Sequence, residues 1–235
     1  YTSTQALFFS LGTAAKVLSM PSSRLHFIGG TVGGGFGGKV DSIHEPLAIL
    51  GAMMTGRPVK YAWDRAEEMQ VGAPRGAERW YVTDGVMNDG RIVARKFTGY
   101  FEAGAYTRLS SYTIPNVSAN VYCVYTNRTP ATAMRGFGIT GVDFAIEAHM
   151  DKVAEAVGMN PVELRILNAY RDGDMKAHRR LAKNCALIEC AQVVAEKAGI
   201  NLSPALKAAS SLKDGGGARA ELPRHTVTDE DGRVQ

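Results

Sequence analysis

The sequence predicts an α+β domain in which a mixed sheet is combined with helices. Strand-forming segments are concentrated between residues 59 and 125, and residues 142–157 repeat apolar side chains at helical spacing. Strands that come first and helices that follow indicate this class better than a regular alternation of strand and helix would. Seven glycines between residues 29 and 38 mark a third feature, a loop whose backbone geometry is closely specified.

The N-terminal part contains two predicted helices, one on each side of this glycine cluster. Residues 5–20 place leucine, phenylalanine, alanine and valine at roughly helical spacing, and residues 25–28 predict a short strand. After the glycines, Asp41 or Ser42 is expected to cap a helix that ends at Gly56. The predicted local order is therefore strand, glycine loop, helix.

The middle of the chain predicts the sheet. Residues 59–63 are rich in strand-forming side chains, and residues 80–82 and 92–94 predict a hairpin. Its turn contains Asp89-Gly90, a pair that suits the positive φ of a tight turn. Further strands are predicted at residues 97–101 and 119–125.

The C-terminal part predicts helices. Apolar residues recur at steps of three and four through residues 142–157, Pro161 opens a second helix, and residues 187–198 predict a third. Beyond Gly199 these patterns weaken. We therefore expect one domain over residues 1–199 and a loop or linker over residues 200–235 that leads toward a further domain.

Composition places the chain among ordinary globular proteins. It has 235 residues, of which 45% are hydrophobic and 21% charged, so it is neither disordered nor collagen-like nor a coiled coil. No run approaches the roughly 20 apolar residues that a membrane span requires. The first residues include neither an initiating methionine nor a basic leader segment, so we expect the chain to be a piece of a longer protein.

Charge and cysteine content narrow the possible partners. The net charge of +4 comes from scattered side chains, which does not favour nucleic-acid binding. Three cysteines cannot form a paired disulfide framework and lack the spacing of a zinc site, which favours a reducing, cytoplasmic setting with the thiols as small buried hydrophobes. The cysteines are Cys123, Cys185 and Cys190, and the histidines without ligand spacing are His44, His149 and His178.

The glycine loop satisfies two phosphate-binding patterns incompletely. Residues 33–39 match G-x-G-x-x-G, but the nearest acidic candidate, Asp64, lies 26 residues past Gly38, where about 20 are expected. They also match G-x-x-x-x-G-K, but Val40 stands where a magnesium-binding hydroxyl is required. A nucleotide-binding module using Gly33 to Lys39 remains an alternative.

A third interpretation of this loop is a cofactor cradle. Phe36 is the one large side chain among the five glycines of residues 33–38, which allow the backbone to approach a bulky ligand while the ring packs against it. A second loop, residues 132–138, repeats the arrangement with Arg135 and Phe137 between glycines, directly before the long predicted helix. Two such loops in one domain predict a shared ligand site.

Three motifs in this order carry a family resemblance. Gly-Gly-Gly-Phe-Gly-Gly-Lys at 33–39, the pair Thr4-Gln5, and Ala-Met-Arg-Gly-Phe-Gly at 133–138 resemble the molybdopterin-binding subunit of the xanthine dehydrogenase and aldehyde oxidase family. The resemblance extends from residue 1 to about residue 174. It implies the first half of such a subunit, with molybdopterin as cofactor and the metal held through the pterin rather than by direct protein ligands. Whether the cofactor carries a cytosine dinucleotide stays open.

The resemblance assigns roles to particular residues. Gln5 and Arg135 would act in catalysis next to the metal, Gln5 by hydrogen bonding to an oxygen of the cofactor. Val40 and Phe137 would contact substrate, and Val40 stands where purine-oxidising members place a glutamate, so xanthine is not expected. The cofactor-contacting residues would be Gln5, Gly35, Phe36, Gly37, Arg135 and Gly136.

The resulting functional prediction is a fragment of a molybdenum hydroxylase. In this family a molybdenum centre oxidises an aldehyde or an aromatic heterocycle with oxygen derived from water, and electrons leave toward iron–sulfur and FAD subunits or domains. The family's base glutamate lies in a Gly-Glu-Pro segment that this sequence lacks, so the isolated fragment is predicted to be inactive. A non-catalytic homologue is a further alternative.

Overall fold

The computed structural model describes residues 1–102 and 112–212, which contain helices and a three-stranded sheet. In chain order the elements are α1 (Leu7–Val17), a 3₁₀ turn (Ser22–Arg24), α2 (Glu45–Thr55), α3 (Arg65–Val71), β1 (Glu78–Val86), β2 (Ile92–Glu102), β3 (Asn116–Val124), α4 (Ile139–Val157), α5 (Pro161–Asn168), α6 (Leu187–Lys197) and α7 (Pro204–Lys207). The α+β class is thereby confirmed. The chain forms two units, whose described residues are 1–79, 100–102 and 121–141 for the first and 80–99, 112–120 and 142–212 for the second.

In the first unit, α1 packs against α2, and both predicted helices are confirmed. The helix α2 ends at Gly56, whose φ of 63° is the left-handed conformation that glycine adopts without steric cost. The expected cap at Asp41 or Ser42 is wrong, because His44 occupies the N-cap position and makes no side-chain cap bond. The Ser42 hydroxyl instead donates to the Glu45 carboxylate at 3.1 Å.

Two predicted strands of this unit are wrong. Among the described residues, 25–28 form no strand, and the nearest pairing is one parallel bridge between Thr2 and Gly29. Residues 59–63 also stay outside the sheet; the Trp63 indole packs on His44 at 3.9 Å between ring centroids and donates to the Tyr61 hydroxyl at 2.9 Å. The aromatic side chains of residues 59–63 therefore pack on neighbouring rings and do not mark a paired strand.

The strand order in the sheet is β1-β2-β3. The predicted hairpin is confirmed, with Gly90 at φ 87° in the connection between β1 and β2. The strand predicted at residues 97–101 is the continuation of β2 rather than a separate element, and the strand predicted at 119–125 is β3. Burial along β2 alternates from Arg95 to Phe101, as expected for a strand that faces a core on one side.

In the second unit, α4, α5 and α6 confirm the three predicted helices. One face of α4 is buried at Val142, Ile146, Met150, Val153 and Ala154, the spacing that the sequence shows. A further cluster joins α5, α6 and the segment after residue 200, and its buried members are Ile166, Ala169, Ile188, Ala195, Leu202, Leu206 and Ala209. The expected loop at 200–235 thus contains the short helix α7 in its described part, while residues 213–235 lie outside the described residues; the boundary at residue 199 stays a prediction.

A buried ion pair lies in the same unit. The Arg95 guanidinium donates to both carboxylate oxygens of Asp84, at 2.7 and 2.6 Å, and the two side chains are only 3% and 1% exposed. The His149 imidazole lies 3.3 Å from the same carboxylate. Removing either partner would leave an unpaired buried charge, which costs several kcal/mol of folding stability.

The cysteines are more exposed than the sequence predicts. All three cysteines are free thiols, but Cys123 and Cys190 are exposed, so their interpretation as buried hydrophobes is wrong. Of the helices that the structure describes, none has both the length and the apolar composition needed to cross a bilayer.

Candidate functional site

Two turns with matching positive φ values at their two central residues form the centre of the candidate site. In the first, Phe36 and Gly37 have φ values of 51° and 98°, and the Gly38 amide donates to the Gly35 carbonyl at 2.8 Å. The second places Phe137 and Gly138 at 52° and 92°, closed by the bond from Ile139 N to Gly136 O at 3.3 Å. We call residues 35–38 and 136–139 the first and second Phe-Gly turns. Positive φ at a bulky aromatic residue is uncommon, and strained positions of this kind cluster at functional sites.

The two turns meet, as their similar sequences lead us to expect. The Arg135 amide donates to the Phe36 carbonyl at 3.1 Å, which joins the second loop to the first. Gly37 is buried, and a Cβ at its position would lie 2.1 Å from the Ala133 carbonyl oxygen. Only glycine allows this approach.

Gln5 is anchored to the first turn by one side of its carboxamide. Its Oε1 accepts from the Gly37 amide at 3.0 Å and from the Lys39 amide at 3.3 Å. A Cβ on Gly35 would lie 2.2 Å from the same oxygen, so Gly35 makes room for this contact. Within the described residues the Gln5 Nε2 has no hydrogen-bond partner, and its two N–H groups stay available to a ligand.

Lys39 does not take the position of a phosphate-binding lysine. Its ammonium group donates to the Val32 carbonyl at 2.5 Å and lies 3.5 Å from the Ser3 hydroxyl. The loop follows no strand, and α2 begins only at Glu45. The predicted order of strand, glycine loop and helix is therefore wrong, and with it the context that both nucleotide patterns require is missing.

Several groups at the two turns suit an oxygen-rich, partly flat ligand. The Phe36 and Phe137 side chains are 63% and 49% exposed, and Arg135 is exposed beside them. Among the described residues, the main-chain N–H groups of Gly34, Gly35 and Phe36 have no acceptor. Backbone donors, a guanidinium and aromatic faces suit the oxygen atoms and the ring system of molybdopterin, so the residues present fit this cofactor.

The positions of the remaining predicted residues follow from this arrangement. Gly136 lies in the second turn, and a Cβ there would be 2.2 Å from the Ile139 side chain. Val40 is half-buried directly after the first turn, and its amide donates to the Gly37 carbonyl at 3.2 Å. The structure thus brings all eight predicted site residues into one region of the first unit, while their roles toward a ligand stay predictions.

Sequence reasoning missed the side chains that link the two loops. Arg75 donates to the Phe36 carbonyl at 3.3 Å and to the Ala133 carbonyl. The Thr132 hydroxyl, which has one hydrogen to donate, contacts both the Gly37 carbonyl oxygen, at 3.4 Å, and the Asp41 carboxylate. Arg75 stands between α3 and β1 in a stretch without periodicity, so no sequence pattern marks it.

A separate cavity of about 220 Å³ lies in the first unit between the chain start and α2. Its polar lining residues are Tyr1, Thr2, His26 and Glu45. The Glu45 carboxylate already accepts from Thr2 at 2.7 Å and from Ser42 at 3.1 Å. None of the eight predicted site residues lines it. Within the part of the chain that the structure describes, no three histidine, cysteine, aspartate or glutamate side chains come together as metal ligands.

Comparison with known proteins gives a consistent result. The family model for the molybdopterin cofactor-binding domain matches residues 1–169. The nicotinate dehydrogenase large molybdopterin subunit of Eubacterium barkeri is 34% identical over 210 residues, which are 83% of this chain and 49% of that protein. This chain therefore spans about half the length of that relative.

Solved structures show the same fold. The aldehyde oxidoreductase from Desulfovibrio gigas superposes with a TM-score of 0.75 at 27% identity, over 86% of this chain and 25% of that one. Quinoline 2-oxidoreductase from Pseudomonas putida 86 gives a TM-score of 0.76 at 25% identity, over 84% of this chain and 28% of that one. The chain therefore belongs to the molybdopterin cofactor-binding domain family and is part of a molybdopterin-binding subunit of the xanthine dehydrogenase type.

Proposed function

We propose that this chain forms one wall of the molybdenum cofactor site in a hydroxylase that oxidises an aldehyde or an aromatic heterocycle. The observation that carries the proposal is the meeting of the two Phe-Gly turns, joined by the bond from Arg135 N to Phe36 O, with Gln5 anchored on the first turn. A surface turn that binds no ligand does not require an aromatic residue at positive φ, and here both turns have one.

Molybdopterin, when bound, supplies the molybdenum centre at which a substrate carbon is hydroxylated with oxygen from water. In the proposed site, the Gln5 Nε2 donates a hydrogen bond to an oxygen of the cofactor, since Oε1 is already committed to Gly37 and Lys39. The amides of Gly34, Gly35 and Phe36 would act as further donors to cofactor oxygens, and the exposed Arg135 guanidinium would favour an anionic group of the cofactor beside it.

The substrate class follows from Val40 and Phe137. Val40 offers neither a donor nor an acceptor from its side chain, and the half-exposed Phe137 ring offers an apolar face. Both favour a flat, weakly polar substrate over a purine with several hydrogen-bonding edges. The names of two similar proteins, a nicotinate dehydrogenase and a quinoline oxidoreductase, agree with an N-heteroaromatic substrate.

The rest of the enzyme is proposed from the same family membership. We expect the remainder of the molybdopterin subunit to complete the cofactor site and to supply the base glutamate. Iron–sulfur and FAD subunits or domains would take up the electrons, and the cofactor would be molybdopterin, either as such or as its cytosine dinucleotide. Three free thiols favour a reducing cytoplasmic setting.

The test uses the full-length parent protein expressed with its partner subunits. Molybdenum per polypeptide is measured by mass spectrometry, the oxidised pterin by fluorescence, and any nucleotide by its release on acid hydrolysis. Turnover is then compared for an aliphatic aldehyde, nicotinate, quinoline and xanthine. We expect close to one molybdenum per chain and turnover of an aldehyde or a heteroaromatic but not of xanthine; turnover in a preparation free of molybdenum would refute the proposal.

A further inference from the structure

One guanidinium group connects the two loops of the candidate site. Arg75 donates from Nη1 to the Ala133 carbonyl and from Nη2 to the Phe36 carbonyl at 3.3 Å. The two acceptors lie 97 positions apart in sequence (133 − 36), one in each loop. No other described side chain donates to a carbonyl of both loops.

The backbone holds Arg75 in place for this contact. Arg75 pairs with Thr132 in a parallel bridge, and the Thr132 amide donates to the Pro74 carbonyl at 2.9 Å. The guanidinium lies against Gly38, where an added Cβ would be 3.5 Å from Nη2. Although Arg75 is exposed, the orientation of its side chain is therefore set by the backbone bridge to Thr132 and by the contact with Gly38.

We propose that Arg75 is a positioning residue, which fixes the separation of the two Phe-Gly turns so that Phe36, Gln5 and Arg135 face the cofactor together. The role toward the cofactor rests on the proposed function, whereas the bracing of the loops does not. The Phe36 carbonyl accepts from Arg75 and from the Arg135 amide, so a shift of this carbonyl moves the strained ring and the second loop at once.

The planar fork of arginine is essential to this role. Its Nη1 and Nη2 reach two carbonyls in a fixed geometry, whereas a lysine ammonium is a compact charge on a flexible stem. A glutamine in its place lacks both the charge and the reach. Arg75→Lys therefore separates the effect of charge from the effect of bridging, and Arg75→Gln removes both.

Hydrogen–deuterium exchange on the cofactor-free full-length protein tests the brace directly. In Arg75→Gln we expect amides of peptides covering residues 33–41 and 130–138 to exchange about tenfold faster, because a hydrogen-bonded charge that holds both loops is lost. Arg24→Gln, which removes an exposed guanidinium of the same unit, is the control and should leave both peptides unchanged. Protection that stays at the wild-type level in both loops overturns the proposal, as does full restoration by Arg75→Lys.

A second readout addresses the cofactor. In the holoenzyme we expect Arg75→Gln to retain less molybdenum per chain and to lose about tenfold in turnover per bound molybdenum, with the KM for substrate and the unfolding temperature nearly unchanged. If Arg75→Gln also lowers the unfolding temperature by several degrees, the loss of turnover reflects general stability, and the positioning role is overturned. If the parent protein holds no molybdenum, the proposed function fails, but the exchange experiment still decides whether Arg75 braces the loops.

Discussion

At the scale of single residues, the candidate site depends on two phenylalanines in a conformation that favours glycine. Phe36 and Phe137 have φ values of 51° and 52°, and each is followed by a glycine of positive φ. A cost of about 1–3 kcal/mol is typical for such residues, and they persist where the surroundings or the function require the side chain. Since Phe36 is 63% exposed, burial in this chain does not offset its strain.

Phe36→Gly should therefore not destabilise the chain. The substitution removes strain and loses little buried area, so we expect the free energy of unfolding to stay within about 1 kcal/mol of wild type or to rise. Phe97→Ala, at a position only 1% exposed, is the matched contrast and should cost about 3–5 kcal/mol in urea titrations. Equal losses for both variants would contradict this account.

Gln5 allows its two amide ends to be tested separately. Gln5→Glu keeps an oxygen for the Gly37 and Lys39 amides but has no Nε2 donor, whereas Gln5→Ala loses both. In the full-length enzyme we expect Gln5→Glu to unfold at the wild-type temperature and to lose about 10- to 100-fold in turnover. Gln5→Ala should also lower stability by about 1 kcal/mol, because the buried Gly37 amide loses its acceptor. Wild-type turnover in Gln5→Glu would remove Gln5 from the proposed site.

At the scale of elements, the long periodic helices were predictable and the short or exposed segments were not. The helix α4 has five buried residues at steps of four and three, a pattern that fixes both its type and its face. Residues 59–63 have strand-forming composition but no partner strand among the described residues, so their aromatic rings pack on one another instead. The helix α3 has no buried residue and therefore no apolar stripe to predict it from.

Local capping is what stabilises α3. The Asp64 carboxylate accepts from the Glu67 amide at 2.8 Å, and the Glu67 carboxylate accepts from the Asp64 amide at 2.9 Å, a reciprocal capping box. We expect Asp64→Ala to lose about 1 kcal/mol of local stability and to raise amide exchange within Arg65–Val71 severalfold, while Asp64→Asn keeps most of the protection. Unchanged exchange in Asp64→Ala would show that the box does not hold this helix.

For the molecule as a whole, stability should depend on pH through a half-buried histidine, His149. Burial lowers the pKa of His149 below its usual value of 6.5, and the neighbouring Asp84 carboxylate only partly opposes this effect. Arg95 and Lys152 also disfavour the charged imidazole. The unfolded chain then binds a proton more readily than the folded one, so stability is complete above about pH 6.5 and decreases as the pH falls below it.

We expect the free energy of unfolding to fall by up to about 1.4 kcal/mol per pH unit between pH 6.5 and the lower pKa of the folded state. Urea titrations from pH 7.5 to 5 measure this slope. His149→Gln should flatten it, and His178→Gln, at an exposed position, should not. A slope that survives unchanged in His149→Gln would assign the pH dependence to other groups.

The α+β class, the main helices, the hairpin and the family could all be predicted from the amino-acid sequence, because they depend on periodicity and on motifs that are contiguous in the chain. The sequence also identified the two aromatic glycine loops and Gln5 as one candidate site. Three contacts became known only from the folded chain: the Gln5 oxygen accepts from the first turn, the Lys39 ammonium donates within its own loop, and Arg75 joins both turns. Hydrogen bonds between residues 30 to almost 100 positions apart leave no periodic trace in a sequence, since one polar side chain at the right place suffices to make them.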